Sequence, residues 1–252
     1  MKESQASIQR VRLLGNGYQQ LEMAIASSLT AMREGQSVLA RPKAMRQQVM
    51  WNPYLRSVWF PTRITSRLMT VEVLATDRYE PGDVIDVFGP VGKKFNYRNT
   101  LRNVLLLAYD TPPFSLLMSI PHLLGNSVSV TLVLLGSAAD YPTQLLPPEV
   151  EIVRSDDRNN PWAWPDQVIT IGWADQVFAA VPPANELAYF EQMWQVFKER
   201  RAEVPSGYLW GVFQSVLPCG VGACNACMVQ TKAGFRLACV DGPAIDLHTV
   251  FG

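Results

Sequence analysis

The sequence predicts a multi-domain protein of mixed α+β and α/β class, with an N-terminal antiparallel β-barrel, a doubly wound α/β domain and a C-terminal cysteine-bearing loop. Three observations support this prediction. Short β-prone runs separated by turn signals fill residues 1–98, apolar strands alternate with helical segments in residues 99–206, and all four cysteines lie within residues 207–252. We therefore expect three domains with these boundaries.

The first 98 residues contain regularly spaced strand signals. Turn-forming sequences, including Glu34-Gly35 and Pro81-Gly82-Asp83, separate the runs. Short strands at this spacing are typical of a small antiparallel barrel. The predicted strands are Gln20–Leu29, Ser37–Arg41, Thr70–Ala75 and Val84–Phe88.

Residues 99–206 combine buried strand patterns with helices. Continuous apolar runs indicate strands that are covered on both faces, as in a parallel sheet. The clearest helix is Pro183–Arg201, because a proline lies near its start, apolar residues recur at helical spacing and basic residues collect at its end. Strands alternating with helices predict a doubly wound sheet. The other predicted elements are a helix near Phe114–Leu124 and strands over Val104–Ala108, Ser127–Leu135, Gln167–Ile171 and Gln176–Val181.

The composition of the 252-residue chain restricts its function. Charged residues make up 17% of the chain against a usual ~25%, which indicates either a large core or burial against a partner. The net charge is zero with no basic block, which argues against nucleic-acid binding. No apolar run approaches the about 18 residues of a membrane span, and the N-terminus has no apolar signal-peptide core. Together with the clustered thiols, these features predict a cytoplasmic protein.

The cysteines form the most specific pattern in the sequence. Cys219, Cys224 and Cys227 have C-x4-C-x2-C spacing, and Cys239 follows after eleven further residues. This is the ligand pattern of plant-type [2Fe–2S] clusters, in which four thiolates hold two irons. Glycines and alanines between the cysteines allow the backbone to wrap closely and to point N–H groups at sulfur. A hairpin that turns at Gly234 is expected to return the fourth ligand.

Two alternatives remain for these cysteines, a zinc site and buried thiols without a metal. Zinc sites usually contain paired C-x2-C units or histidines. This chain has one C-x2-C unit, and no histidine is near the cysteines before His248. The spacing therefore favours the [2Fe–2S] cluster.

The stretch from Leu217 to Asp246 closely resembles the electron-transfer subunit of two-subunit dihydroorotate dehydrogenases, in which a CGxGACxAC loop precedes a hairpin and a C-V-D-G-P sequence. Residues 33–39 and 79–95 also resemble barrel strands of this family. The resemblance implies a ferredoxin reductase-like fold, with a flavin-binding β-barrel, an α/β nucleotide domain and a C-terminal cluster loop. It also implies that FAD and one [2Fe–2S] cluster relay electrons between a catalytic flavoprotein subunit and NAD.

The flavin motifs of this family are only partly present. The family binds the FAD pyrophosphate through an Arg-x-Pro/Tyr-Ser/Thr strand. By resemblance, Arg56 and Thr62 are the candidates for its arginine and hydroxyl, and Gly89 lies in the GPxG segment that follows. The family's G-x-G-T turn is absent here, although a phosphate needs the close backbone approach that glycine allows. FAD therefore stays an open alternative, with Arg56, Thr62 and Gly89 as its candidate ligands.

The nicotinamide motifs are altered at two places. The family has GGxGxAP after the first α/β strand, where this chain reads Tyr109-Asp-Thr-Pro-Pro-Phe. Asp110 would repel a phosphate, and the prolines remove N–H donors. The family's later Cys-Gly pair is replaced by Val181-Pro182. We expect NAD not to bind, the alternative being a diverged but working site.

The sequence contains no recognisable catalytic set, since His122 and His248 are isolated and no Ser-His-Asp set or paired carboxylates occur. We expect an electron-transfer subunit that works with a redox protein partner in a hetero-oligomer, such as a dihydroorotate dehydrogenase-like flavoprotein subunit. It would be a component of an oxidoreductase complex rather than a free-standing enzyme. The alternative is a structural or regulatory subunit whose bound metal only stabilises the C-terminal loop.

Two features are relevant to partner binding. Small residues, including Gly222, are expected to leave the cysteine loop slim enough for a redox partner to approach the cluster. The tryptophans of the loop at residues 156–165 have two interpretations, anchors for a partner or side chains folded back onto the protein.

Overall fold

The computed structural model describes residues 1–42, 55–214 and 216–252. Its first sheet has seven strands: β1 (Lys2–Gly15), β2 (Tyr18–Ala24), β3 (Ser37–Pro42), β4 (Ser57–Trp59), β5 (Pro61–Ile64), β6 (Leu68–Leu74) and β7 (Val84–Val91). They are antiparallel in the order β4-β3-β7-β1-β2-β6-β5. The two edge strands, β4 and β5, are separated in the chain by Phe60 alone, so the sheet curls into a nearly closed barrel. The predicted barrel is confirmed.

A second sheet follows, made of β8 (Asn103–Tyr109), β9 (Ser129–Leu135), β10 (Glu151–Ser155), β11 (Gln176–Ala180), β12 (Leu209–Val212) and β15 (Ala244–Asp246). Its order is β10-β9-β8-β11-β12-β15, and only β15 is antiparallel to its neighbour. Strands β13 (Met228–Thr231) and β14 (Gly234–Leu237) form the separate cysteine hairpin.

Helices cover both faces of the second sheet, because its strands are apolar on both sides. The helices are α1 (Phe114–Leu117), α2 (Ser119–Gly125), α3 (Gln167–Trp173), α4 (Glu186–Arg200) and α5 (His248–Phe251). Alternate residues of β8 divide between two core clusters, of which one contains Phe190 and Phe197 of α4 and the other Leu116 and Ile120 of α1 and α2. This arrangement confirms the doubly wound α/β prediction. No helix in the described ranges is long and apolar enough to cross a membrane.

One predicted strand is wrong. Gln167–Ile171 is part of helix α3, and Val168 and Ile169 are 58% and 69% exposed rather than buried. A short β-branched run has no periodicity that separates a strand from one helical turn. Here only Gln167 and Ile171, four residues apart, are buried, which is the spacing of a helix that rests one face on the core.

The cysteine hairpin is held between the barrel and the second sheet. Strands β12 and β15 are neighbours, so the segment between them leaves and re-enters the second sheet at its edge. On the barrel side, the Gly92 N–H donates to the Cys239 carbonyl oxygen at 3.1 Å and the Lys93 N–H donates to the Gly242 carbonyl oxygen at 2.6 Å. These contacts fix the position of the cysteines relative to both sheets. The domain boundaries at residues 98 and 206 stay predictions.

Candidate iron–sulfur site

The cysteine loop, residues 217–227, connects β12 to the hairpin and carries three of the four cysteines. The fourth, Cys239, follows β14 and returns to the loop. The Ala238 N–H donates to the Cys227 carbonyl oxygen at 3.0 Å, and the Cys239 N–H donates to Cys227 Sγ at 3.5 Å. All four cysteines are free thiols. The hairpin predicted around Gly234 therefore exists and brings the fourth cysteine back.

The thiols contact one another in two pairs, Cys219 with Cys224 and Cys227 with Cys239. Within the part of the chain that the structure describes, no group of three or more histidine, cysteine or acidic side chains is placed to hold a single metal ion. A zinc ion needs three or four protein ligands around one point. A [2Fe–2S] cluster instead has two irons that share four thiolates. The two pairs of thiols supply the four thiolates that such a cluster needs.

Backbone N–H groups point at the sulfur atoms. The Val221 N–H lies 3.5 Å from Cys219 Sγ, and with the N–H groups of Cys224 and Ala223 it lowers the pKa of Cys219 to about 6. Burial raises the pKa of Cys239 to about 12, an effect that the neighbouring Cys227 thiol adds to. Because the thiolate is the metal-binding form, these N–H groups favour the metal-binding state of Cys219.

Two glycines of the loop have separate tasks. Gly220 has φ of +66°, and a Cβ there would lie 2.9 Å from Leu39 Cδ1 of the barrel. Gly222 has φ of +76°, and its Cβ would lie 2.8 Å from Val240 Cγ2, inside the cysteine segment. Gly220 therefore lets the loop rest on the barrel, and Gly222 lets the loop close. The expectation that small residues such as Gly222 leave the loop slim enough for a redox partner stays a prediction.

Exposure differs between the two thiol pairs. Cys227 and Cys239 are 3% and 1% exposed, whereas Cys219 is half-buried and Cys224 is exposed. Val221, between Cys219 and Cys224, is also exposed. The pair formed by Cys219 and Cys224 is therefore the more accessible to solvent.

The three candidate FAD ligands are on the barrel, and Arg56 is already engaged there. Its guanidinium forms an ion pair with Glu3 of β1 and lies 5.9 Å from the ring centre of Phe88. Its Nε is buried without a hydrogen-bond partner among the described residues. Glu3 gave no signal in the sequence, because an exposed acid at the start of a strand is ordinary. A pyrophosphate would have to compete with the exposed Glu3 carboxylate for this guanidinium.

Thr62 and Gly89 also make contacts that serve the barrel. The Thr62 hydroxyl donates to the Thr70 carbonyl oxygen at 3.4 Å, in the neighbouring strand. A Cβ on Gly89 would lie 3.0 Å from Val38 Cγ1, so this glycine allows β7 to approach β3. All three candidate residues therefore have contacts within the barrel itself. FAD binding stays a prediction from the resemblance, and no step is derived through it.

The turn at the carboxyl end of β8 occupies the position of the family's nucleotide motif. Its polar groups are hydrogen-bonded to one another. Asp110 has φ of 48°, and its N–H donates to the Leu135 carbonyl oxygen at 3.0 Å. Its carboxylate accepts the Ser137 N–H at 2.8 Å. In doubly wound sheets this is the edge at which a dinucleotide phosphate receives N–H groups. A side-chain anion already accepts one of the N–H groups at this edge.

Aromatic side chains pack beside Asp110. The rings of Tyr109 and Trp162 stack with centres 4.2 Å apart, and Tyr189 lies 5.5 Å from Tyr109. The Trp162 indole N–H donates to the Gln192 side-chain oxygen at 3.0 Å. Trp162 and Trp164 are both buried, so the tryptophans of residues 156–165 fold back onto the protein and do not form exposed anchors. These residues do not fit NAD, whose absence stays a prediction.

Comparison with known proteins identifies the C-terminal segment. Residues 214–251 match the family model described as the iron–sulfur cluster binding domain of dihydroorotate dehydrogenase B. The electron transfer subunit of dihydroorotate dehydrogenase B (NAD(+)) from Clostridium perfringens (strain 13 / Type A) is 23% identical over 170 residues. That match spans 66% of this chain and 65% of the relative.

Solved structures show the same fold over most of the chain. An NADH-dependent reduced ferredoxin-NADP oxidoreductase, studied for flavin-based electron bifurcation, superposes with a TM-score of 0.71 at 20% identity over 97% of this chain and 88% of that one. Phthalate dioxygenase reductase superposes with a TM-score of 0.60 at 12% identity over 84% of this chain and 68% of that one. At these identities the likeness establishes the fold alone.

The comparisons confirm the resemblance stated from the cysteine loop and the barrel motifs. They also confirm the predicted iron–sulfur chemistry, while the assignment of individual ligands stays a prediction. The chain has a ferredoxin reductase-like fold, ends in an iron–sulfur cluster binding domain and resembles the electron transfer subunit of dihydroorotate dehydrogenase B.

Proposed function

We propose that this protein is an electron-transfer subunit that holds one [2Fe–2S] cluster on Cys219, Cys224, Cys227 and Cys239 and relays electrons to or from a partner oxidoreductase. One observation carries the proposal, the assembly of four free thiols in two pairs with backbone N–H groups aimed at sulfur. The family match over residues 214–251 supports it.

The residues around the thiols suit one-electron transfer. When bound, a [2Fe–2S] cluster takes up and releases one electron at a time. N–H groups such as that of Val221 stabilise negative charge on sulfur and so set the potential. Behind Gly220, the side chains of Leu39 and Phe88 exclude water from the inner side of the loop. The exposed Cys224 gives an electron a short path outward.

The partner is proposed to be a redox protein, a flavoprotein like the catalytic subunit of a dihydroorotate dehydrogenase, in a hetero-oligomer. The reason is that a carrier without a substrate site must exchange electrons with another protein's cofactor. If FAD is bound, the chain is a reductase-type subunit; if not, it is an adaptor that relies on the cluster alone. In both cases it is a component of an oxidoreductase complex, and its four free thiols suit a cytoplasmic location.

Anaerobic purification from native extract tests this function. We expect a visible spectrum that changes reversibly on dithionite reduction, and a co-purifying oxidoreductase chain identified by mass spectrometry. The alternative is a structural or regulatory subunit with a metal-stabilised loop. It predicts a metal without reversible redox change, since zinc has no redox chemistry. That result would refute the electron-transfer function.

A further inference from the structure

A cleft lies between the barrel, the edge of the second sheet and the cysteine hairpin. Its volume is about 780 Å³, within the ~300–1,000 Å³ typical of small-molecule sites. The barrel side contributes residues 92–96, the sheet edge contributes Trp210 and residues 244–246, and the hairpin contributes Arg236. Three separate parts of the chain therefore meet around a space large enough for a ligand.

The lining of this cleft has more cationic side chains than exposed carboxylates. Lys93 Nζ lies 3.3 Å from Asp241 Oδ1, and Arg236 Nη1 lies 3.9 Å from the same oxygen. Lys94 also lines the cleft and has no ion pair among the described residues, so two cations are near the Asp241 carboxylate and a third is not paired with it. The other acid, Asp246, is buried and accepts hydrogen bonds within the fold from the Ser206 hydroxyl and from the N–H groups of Gly207 and His248. An added anion could bind Lys94, and also Arg236, whose 3.9 Å contact with Asp241 is longer than a hydrogen bond.

The wall of the cleft offers an aromatic face. The Trp210 ring lies nearly parallel to Phe178, with an interplanar angle of 22° and ring centres 6.2 Å apart. Its indole N–H already donates to the Gly207 carbonyl oxygen at 3.0 Å. One face of the indole is thus directed at the core, and the partly exposed ring borders the cleft with its polar edge satisfied. A flat, apolar ring surface near cations suits a planar ligand with negative charge.

This cleft is separate from the expected dinucleotide crevice. Asn96, in its lining, lies at the amino end of β11, where its carbonyl oxygen accepts the Gln176 side-chain N–H at 2.9 Å. Asp110 and Tyr109 lie at the opposite, carboxyl end of the same sheet. The cleft is bordered by β15, the antiparallel edge strand. It therefore does not share a wall with the crevice that the chain's own side chains fill.

We propose that the cleft binds a mononucleotide-type ligand, with a planar ring against Trp210 and a phosphate between Lys94 and Arg236. The electron-transfer function is not needed for this inference, which rests on the cleft alone. Binding can be measured without any redox reaction, so failure of one proposal leaves the other standing.

Isothermal titration calorimetry on the full chain tests the proposal, with AMP, UMP, FMN and orthophosphate as separate probes. We expect at least one of the three nucleotides to bind with Kd below about 1 mM, and at least about tenfold more tightly than orthophosphate. The double substitution Lys94→Glu with Arg236→Glu should raise the Kd of that nucleotide by about tenfold or more. Trp210→Leu should raise the Kd of the nucleotide by about three- to tenfold and leave the Kd of orthophosphate unchanged.

Lys232→Glu is the matched control, because Lys232 lies on the same hairpin but not in the cleft lining. It should leave nucleotide binding unchanged, and thermal unfolding should confirm that every variant is folded. The proposal is overturned if no nucleotide binds, if orthophosphate binds as tightly as the nucleotides, or if Lys232→Glu weakens binding as much as the double variant.

Discussion

The cysteine loop and the turn region at the carboxyl ends of β8 and β9 are both places where backbone N–H groups can receive a negatively charged ligand. In the cysteine loop, Gly220 and Gly222 have positive φ and the N–H of Val221 points at a sulfur. In the turn region, Asp110 takes the positive φ and its carboxylate accepts the Ser137 N–H. The first region keeps its donors for a cofactor, and the second uses one of them within the fold.

The two regions also attach to the barrel differently. The cysteine segment is held by backbone hydrogen bonds, as between Gly92 and Cys239, and by the apolar contact of Gly220 with Leu39. The turn region is held by an ionisable pair, in which the Tyr141 hydroxyl donates to the Glu72 carboxylate. The cysteine segment also has a partly exposed ion pair with the barrel side, between Lys93 and Asp241, whereas Glu72 and Tyr141 of the turn region's contact are buried. The buried contact should be the more sensitive to a rise in pH above the ordinary carboxyl pKa, because the pKa of Asp241 is lowered and this carboxyl is already ionised there.

The largest expected effect is loss of the cluster. The unmodified protein should contain about two iron and two sulfide per chain. Cys227→Ser or Cys239→Ser should remove most of both, because these ligands are buried, while Cys219→Ser or Cys224→Ser should strip or alter the cluster. Iron and acid-labile sulfide analysis is the measurement.

The control for the cysteine variants is Ala226→Ser, which adds the same hydroxyl to an exposed position of the loop. It should keep full iron and sulfide content. Stoichiometric zinc without sulfide in the unmodified protein would contradict the assignment of the four cysteines as [2Fe–2S] ligands. The cysteine loop would then not differ from the turn region by holding this cofactor.

Gly220→Ala should have the next largest effect. The added Cβ combines left-handed strain with a 2.9 Å contact to Leu39, so we expect a cost of about 2–4 kcal/mol in unfolding free energy. Gly234→Ala is the control, since it has positive φ but no atom within 4 Å, and it should cost about 1–2 kcal/mol. Chemical denaturation measures both. Equal costs would show that the loop does not depend on close packing against the barrel.

A smaller effect should come from Glu72. Burial raises the pKa of its carboxyl above the ordinary value of 4.5, against the opposing hydrogen bonds from Tyr141 and Gln20. The folded state thus favours the neutral acid. The stability that Glu72 contributes is present below pH ~4.5 and is lost as pH rises through the raised pKa. As pH rises through this raised pKa, the unfolding free energy of Glu72→Gln should increase relative to that of the unmodified protein.

Denaturation of Glu72→Gln across this pH range tests the expectation, with Glu22→Gln on strand β2 as control. The control should follow the unmodified protein. A stability difference for Glu72→Gln that does not change with pH would show that the turn region is not held through an ionisable contact.

The smallest expected effect is none at all. NADH at about 1 mM should neither bleach the chromophore nor give a binding signal, because Asp110 and the stacked Tyr109 and Trp162 take the place of a phosphate turn. A visible-spectrum titration under anaerobic conditions is sufficient. Rapid reduction by NADH would show that the turn region still receives a dinucleotide, although one of its N–H donors is used within the fold.

Much of this arrangement could be predicted from local sequence. The hairpin around Gly234 and strands β3 and β8 follow from short-range patterns, and the cysteine spacing indicates the cluster. Strand β1 was not predicted, since its residues from Lys2 to Gly15 include few buried side chains and show no clear alternation. The strand predicted at Gln167–Ile171 is helix α3, because a run that short does not distinguish the two periods.

The long-range contacts of the site could not be predicted. Nothing local indicates that Glu3 neutralises Arg56 across the barrel or that Trp162 stacks on Tyr109. Likewise, the sequence does not reveal that Gly222 faces Val240, because a glycine's neighbours are set by how the loop closes. These contacts depend on which distant segments the fold places together.

The return of the chain from Cys239 to strand β15 has a consequence for how the protein matures. The segment at residues 213–243 leaves from β12 and rejoins the sheet as its neighbour, so both ends of the cysteine segment are tethered a strand spacing apart. During synthesis, β15 emerges after all four cysteines. Iron delivered before the last strand is added would meet a segment tethered at one end only, whereas iron delivered afterwards would meet a closed loop with less conformational entropy to lose. The order of the strands therefore favours metal insertion as the last step of assembly.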